Sequence, residues 1–444
     1  MRKTGIIILF VLAGIVVLLS QSNSGRTEIK LRYADSLVGS NTPGISFREF
    51  YGNVHLEHGD VDVKSDFAKQ YLESNRADLV GNVIITQQTM ILRSPMIIYY
   101  GNTNSANAFD GVTIKDDKAY LKADGGVYNT KSYIAEFTGN VFVEDDSAKI
   151  YSHYIKYNRK SRESFSHGDV WILGKNTNVV LNSDTLLNTP DDNYSLAYGK
   201  PVLYQVDSVY TPADTSLYLP DSLVIKDAYY TYDTLTVSCD TMHSHRALYN
   251  EKYVFVSNVE IVRGQVVAKA DEAVFMKDDD YIILKGSPIV WHDSTQLYAD
   301  SIIIRIPNNE LKTIEAYGNS IAVSRNDTIS LNRLDQIMGD RIYIHIDSGK
   351  VHGITSIGEA KSLYFFRDEE GENGVDRRTT DTIHVEFTDG DIENIIWLGM
   401  TYAEFFPETF VYGKEKSYYL PLFKWTDDKP RKKLLQLPGK ISNK

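Results

Sequence analysis

The chain has 444 residues, of which 42% are hydrophobic and 24% charged, and carries a net charge of −12. This balance is globular rather than disordered, and an acidic chain without a basic stripe excludes nucleic-acid binding, which depends on neutralising phosphates. One cysteine, Cys239, excludes an internal disulfide framework.

Arg2 and Lys3 precede fifteen apolar residues, Gly5 to Leu19. Residues 1–20 therefore read as a signal peptide or a membrane anchor, with the remainder exported. No Ala-x-Ala follows, although Ser20-Gln21-Ser22 offers a cleavage site. The absence of a following cysteine excludes a lipoprotein anchor. Residues 21–47 are polar, carry Ser22-Asn23-Ser24-Gly25, and read as a tether.

From about Phe50 a repeat dominates. One run opens with Gly and places apolar residues two and four positions later, as in Gly52-Asn53-Val54-His55-Leu56, Gly81-Asn82-Val83-Ile84-Ile85 and Gly139-Asn140-Val141-Phe142-Val143. A second run is apolar, any, small, then usually Asp: Val63-Lys64-Ser65-Asp66, Leu121-Lys122-Ala123-Asp124, Leu297-Tyr298-Ala299-Asp300. Its fourth position steps by 29 residues from Asp66 through Pro95 and Asp124 to His153. It continues at Asp184, Asp214, Asp240, Asp271, Asp300 and Asp340. Alternation of apolar and polar residues predicts strands with one buried face. The 30 tyrosines and abundant β-branched residues agree, and turns fall at Gly101-Asn102, Asp116-Asp117 and Asp278-Asp279-Asp280. Two-strand units of this kind cannot bury their own apolar faces and must stack.

The fold class is all-β: an elongated two-sheet array of ~29-residue two-strand units, after one N-terminal hydrophobic helix. Residues 48–188 form a first lobe and 189–366 a second, with a looser joint between Thr189 and Tyr232. Residues 367–380 read as a mobile loop, 381–428 as a C-terminal β-repeat, and 429–444 as a frayed basic tail.

The Gly-Asn-Val opening, the Leu-x-Ala-Asp run and the Tyr-Asn pairs Tyr128-Asn129 and Tyr157-Asn158 resemble the OstA/LptA-like family, best between Gly81 and Asn158. The resemblance implies an elongated antiparallel β-jellyroll coiled into a V-shaped groove that holds lipopolysaccharide acyl chains in the periplasm. It implies as partners an inner-membrane transporter and an outer-membrane translocon, joined through edge strands, and end-to-end self-association as a further expectation. It supplies no catalytic residue and no cofactor. The groove candidates are Val54, Leu56, Val83, Ile85, Val112, Ile114, Val141, Val143, Val170 and Ile172, with the parity of the faces inferred.

Other readings remain. The same apolar face could fill a closed, dry core in an envelope structural protein. A parallel β-solenoid acting on polysaccharide would share the period. Cys239, Asp240, His243 and His245 have metal-like spacing, but Cys239 and Asp240 are already explained as repeat positions, so no metal site is assigned. The recurring Asp residues are too sparse for calcium and read as turn or edge residues. His55 and His58 read as surface imidazoles beside a turn.

Overall fold

A computed structural model describes residues 27–437, apart from short segments at 43–44, 118, 176, 212–217, 220–221, 224–228, 248–249, 326–329, 348, 368–372 and 389–390. The N-terminal hydrophobic run, the tip of the tail and Asp214 lie outside the described residues. No helix among the described residues is long and apolar enough to cross a membrane.

Nearly every described element is a strand, and every pairing is antiparallel. This pairing removes the parallel-solenoid reading. The repeat yields long kinked strands where the sequence suggested separate short ones. Arg76–Gln87 pairs with Met90–Tyr100, and the register slips between Val80 and Val83. Each such slip divides a strand into two halves, and the halves form two facing sheets. Sheet A holds the halves like 83–87 and 90–94. Sheet B holds the halves like 76–80 and 96–100.

The slip is the Gly-Asn pair itself. Gly81 and Asn82 both have left-handed backbone, with φ of 78° and 43°, so the pair forms a bulge that turns the strand through the corner. Across the corner stands the recurring aspartate of the neighbouring strand. Asn82 Nδ2 donates to Asp66 Oδ2 at 2.8 Å, Asn140 to Asp124 at 2.7 Å, Asn258 to Asp240 at 2.7 Å and Asn319 to Asp300 at 3.0 Å. These aspartates are thus corner residues, and the expectation of turn or edge positions is corrected. The small residue before each aspartate, or before Pro95 and His153 where they take its place, lines the same corner. Ser65, Ser94 and Ser152 hydroxyls and the Cys239 thiol all donate to the carbonyl two residues onward.

Three segment assignments also change. Within the supposed tether 21–47, Lys30–Tyr33 and Ser36–Thr42 are strands on the two halves of Ile45–His58. Within the supposed loop 367–380, Asn373–Thr388 pairs along the strand Lys350–Arg367. These segments read as irregular because their polar side chains sit on outward or edge positions, while the pairing itself is made by backbone. Within the supposed C-terminal β-repeat 381–428 the last strand ends at Pro407, and from Glu408 the chain doubles back over the outer face of sheet A, burying Val411 and Leu420 against Ile321, Val323, Leu363 and Phe365. Gln296 clamps the backbone of Thr426 from both sides, donating at 2.7 Å and accepting at 3.1 Å. Further along, Lys433 reaches Ser238 and Glu260.

The joint near 189–232 is a long hairpin inside the continuous sheet. Val202–Thr211 pairs with Tyr229–Ser238, and the repeat resumes on either side. The apolar interior nevertheless falls into two clusters. One runs from Ile29 to Ile155, the other from Val170 to Val385. The interruption lies upstream of the 188/189 boundary that the sequence suggested.

The corner glycines differ from turn glycines in one testable respect. A Cβ on Gly139 would lie 2.5 Å from Asp124 Oδ2, whereas one on Gly59 would meet nothing within 4 Å, and both residues have positive φ. Backbone strain alone costs roughly 1–2 kcal/mol. Gly139→Ala should therefore destabilise the protein by at least about 1 kcal/mol more than Gly59→Ala in urea unfolding, because only the corner adds a steric clash. Equal losses would deny the corner its role.

Candidate binding groove

The ten groove candidates share the interior face. Val54, Leu56, Val83, Ile85, Val112, Ile114, Val141 and Val170 are buried, while Val143 and Ile172 are half-buried. The two exceptions locate the feature that sequence reasoning missed.

Cross-strand pairs carry one interior row along sheet A: Val143, Ile150, Ile172, Leu181 and Leu203 lie side by side on successive strands. All five are half-buried. A second interior row crosses all of sheet B at the mouth side, four residues before each corner glycine or after each corner aspartate. It has three parts. At the N-terminal end a buried glutamine, Gln70, leads into alternating alanine and tyrosine: Ala77, Tyr99, Ala106, Tyr128, Ala135, Tyr157. In the middle it reads Ser164, Asn188, Ser195, Ser244. At the C-terminal end it becomes Tyr253, Phe275, Ile282, Ile304, Ile314, Ile344, Ile354.

Each part sets a different gap between the sheets. Where the isoleucines stand, the core is closed, and Ile314 has no exposed surface. Where the tyrosines stand, the mouth is latched. His58 Nδ1 lies 2.8 Å from Tyr99 Oη. Gln87 Nε2 donates to the Thr130 carbonyl at 2.9 Å, Tyr128 Oη donates to Gln87 Oε1 at 2.8 Å, and Arg159 donates to Tyr128 Oη at 3.1 Å and pairs with Asp116 at 2.8 Å. These bonds join turns of sheet A to turns of sheet B. Thr27 closes the end of the series on His58. His58 is therefore buried and structural, which corrects its reading as a surface imidazole; His55 is the exposed partner of Asp62. Burial pushes the Tyr99 phenol up to about 12, so it remains a protonated donor.

Where serine and asparagine stand, the side chains are short and the facing aliphatic row is only partly buried, packed against the edges of the two core clusters. This is the open stretch, flanked by a latched segment and a closed one. Its two walls differ chemically. Sheet A presents hydrocarbon and sheet B presents hydroxyls and an amide. Ser195 Oγ donates to Asn188 Oδ1 at 2.8 Å and Arg246 donates to the same oxygen at 3.0 Å. Below this row the Ser166 hydroxyl is 1% exposed and has no partner. The signal was present in the sequence at fixed distances from the corner residues, and recovering it required knowing which positions pair.

The metal reading gains nothing. Burial pushes the Cys239 thiol up to about 11, and its hydrogen goes to the Thr241 carbonyl. His243 lies 2.8 Å from Tyr194 Oη. Among the described residues no group of three metal-capable side chains converges.

Residues 26–184 match the family model described as OstA-like protein. Among solved structures, the crystal structure of LptH from Pseudomonas aeruginosa aligns at 11% identity over 31% of this chain and 93% of that one, with a TM-score of 0.25. Its description is the LptA-homologous periplasmic component of the conserved lipopolysaccharide transport device. A comparison with curated proteins finds no match.

Two measurements test the latch. Tyr128→Phe strands the buried Gln87 carbonyl and one face of Arg159, at a cost of about 1–3 kcal/mol. Amide-exchange protection over residues 83–92 should fall by at least tenfold while protection over 302–316 holds; parallel losses would mean global destabilisation only. Acid should act on the same element. Burial alone would raise the Asp116 carboxyl, but the Thr89 hydroxyl, the Asp117 N–H and Arg159 together hold it below the usual range. A lowered carboxylate stabilises above its ordinary pKa of about 4 and loses that contribution as pH falls through its folded value. Protection at the latch should be flat from about pH 7 to 5 and weaken below about 4, and an Asp116→Asn variant should lack the step.

Proposed function

We propose that this chain is an exported, non-enzymatic lipid-transfer scaffold that shields lipopolysaccharide acyl chains in the open stretch between its two sheets. The observation that carries the proposal is the partly buried aliphatic row from Val143 to Leu203, set between fully buried stretches of the same row and facing short side chains on the opposite sheet. Five strands at ~4.8 Å spacing make this row roughly 19 Å long, and hydrocarbon laid on it leaves water at about 25 cal/mol per Å². The OstA-like match over 26–184 covers part of the same stretch. The hydrophobic N-terminal run agrees with export to the periplasm, with or without retention at the inner membrane. Transfer then consists of replacing water around each chain and passing it along by graded affinity or by an upstream push.

The ends of the roll suit bridging. Lys30–Tyr33 and Ser36–Thr42 at one end pair only with Ile45–His58 among the described residues. Asp391–Leu398 and Tyr402–Pro407 at the other pair only with Asn373–Thr388. Such edges accept an added strand. Inner-membrane transporter and outer-membrane translocon components, or a second copy, are the partners this reading assigns to them.

The proposal distinguishes among the ten candidates. Val143 and Ile172 contact lipid in the state described here, the seven buried residues from Val54 to Val141 do so only when the latch opens, and Val170 lies at the corner beneath the open stretch. The test places a photoreactive residue in living cells at Ile172 and Leu181, at Val83 and Ile85 beneath the latch, and at outward Phe142 as control. Lipopolysaccharide adducts at Ile172 and Leu181, absent at Phe142, are expected. Adducts at Val83 in a Tyr128→Phe background would show that the latched segment belongs to the same path. No adduct at any interior position of folded protein would overturn the transfer function and leave a closed-core structural protein.

A further inference from the structure

The outward face of sheet B carries a long apolar row that stays partly exposed. From this row we infer that two copies of the chain pack back to back through the outer faces of their B sheets, a contact separate from any joining of edge strands.

Backbone pairing lays the row out strand by strand. It starts at Phe165, continues through Leu187 and Leu196, passes His243, and ends with Val254, Val274, Ile283 and Ile303. All of these side chains are partly exposed. Just before Phe165 the same row is charged, at Glu136 and Lys156, and just after Ile303 comes Glu315. Sheet A shows how the chain treats a comparable row. Its outward row from Val262 through Trp291 and Val323 to Leu363 is buried. The folded-back tail lies along that row and bonds to it at Gln296 and Gln336.

A sheet face with an apolar row is well matched by another sheet face, which packs ~10 Å away. Area selects the row. Eight strands at ~4.8 Å and three rows of side chains at ~6.7 Å give roughly 680 Å² on each copy, near the ~800 Å² of a stable interface. Another outward run, Tyr51, Phe67, Val80, Met96 and Phe109, lies one row nearer the corner. It crosses only five strands, roughly 380 Å², which is too little by itself. The net charge of −12 opposes self-association in general. Beside the row, however, charges are paired within their own chain, Glu272 with Lys285 at 2.9 Å and Glu315 with Arg305 at 2.6 Å. Charge also sets the orientation. With the two-fold axis along the row, the mouth-side flank of one copy faces the corner-side flank of the other. Lys252 then comes within one strand of Glu272 of the second copy. Turning one copy end for end would set Lys252 beside His245 of the second copy instead, with no carboxylate opposite.

Cross-linking of the full chain in living cells tests the contact. Cys239→Ala removes the native thiol, and alanine already holds the equivalent place at Ala123, Ala270 and Ala299. In that background Ile283→Cys, treated with a bismaleimide matched to the ~10 Å between packed sheets, should give cross-linked dimer. Ile283 meets Ile283 across the axis, so a single variant suffices. Ile84→Cys, outward on sheet A, should give none. Val274→Glu would bury unpaired carboxylates in the contact and should cut the Ile283 yield at least about tenfold. Ile98→Glu, on the same row outside the apolar run, should leave the yield unchanged. Protease resistance of each variant checks that it is folded. Equal yields at Ile283 and Ile84, or no product at either, would overturn the dimer. Product at Val80→Cys in place of Ile283→Cys would overturn the choice of row. Product only when Ile283→Cys and Leu187→Cys chains are mixed would overturn the orientation. None of these outcomes bears on the acyl-chain reading, which rests on the inner faces.

Discussion

The structure depends on the corner. A strand of uniform pleat would make one flat sheet with two solvated faces and no interior. The Gly-Asn bulge, left-handed at both residues, bends each strand once, and the aspartate of the neighbouring strand accepts the asparagine amide across the bend. The corner also sets register. Alternation along a strand has a period of two, so a slip of one residue would exchange its two faces. Because the bulge and the aspartate occupy the same place in nearly every unit, the interior positions on either side line up from strand to strand. The apolar rows exist because the corners repeat.

From this constraint the three-part mouth follows. The corner side of the interior is much the same throughout, with small residues and valines packed at the bend. Variation is concentrated one row further out, where the sheets diverge and a side chain decides whether they meet. Tyrosines reach across and bond to turns on the other sheet. Isoleucines fill the gap with hydrocarbon. Serines and asparagine do neither. The roll is thus uniform in backbone and graded in function, and the grading rests on a few side chains per unit, which leave the fold itself untouched. The folded-back tail belongs to the same logic. It covers an outer face that is itself apolar beneath it, at Ile321, Val323 and Phe365, so sheet A there is buried on both sides. That segment is the part of the roll least free to splay.

The repeat, the all-β class and the interior parity of Val54, Val83 and Val141 were legible in the sequence because they follow from periodicity. What escaped was anything that depends on which strand lies beside which. The aspartates were visible as a ladder, but their role at corners needed the pairing of Asp66 with Asn82 across sixteen residues. His58 looked like a surface residue because it stands beside a turn. Tyr99, forty-one residues on, buries it. The strands within 21–47 and 367–380 were missed for a related reason. Their polar residues suggested loops, while edge and outward positions in a sheet tolerate polarity without loss of pairing.

The open stretch escaped for a deeper reason. Its walls are not unusual in composition. Serine four residues before a corner glycine means little in isolation. It gains meaning only when Ser164 and Ser195 are seen to flank Asn188, with Ser244 beyond, between alternating tyrosine and alanine on one side and Tyr253, Phe275 and a run of isoleucines on the other. Buried hydroxyls also occur in the closed segment, at Ser320 and Ser356, so what marks the stretch is the register of short side chains opposite partly buried Ile172 and Leu181. The stretch is also bounded. An apolar slot running the full length of the roll would expose a continuous hydrophobic face, which invites association between molecules. Latching one segment and packing the other confines that exposure to the open stretch.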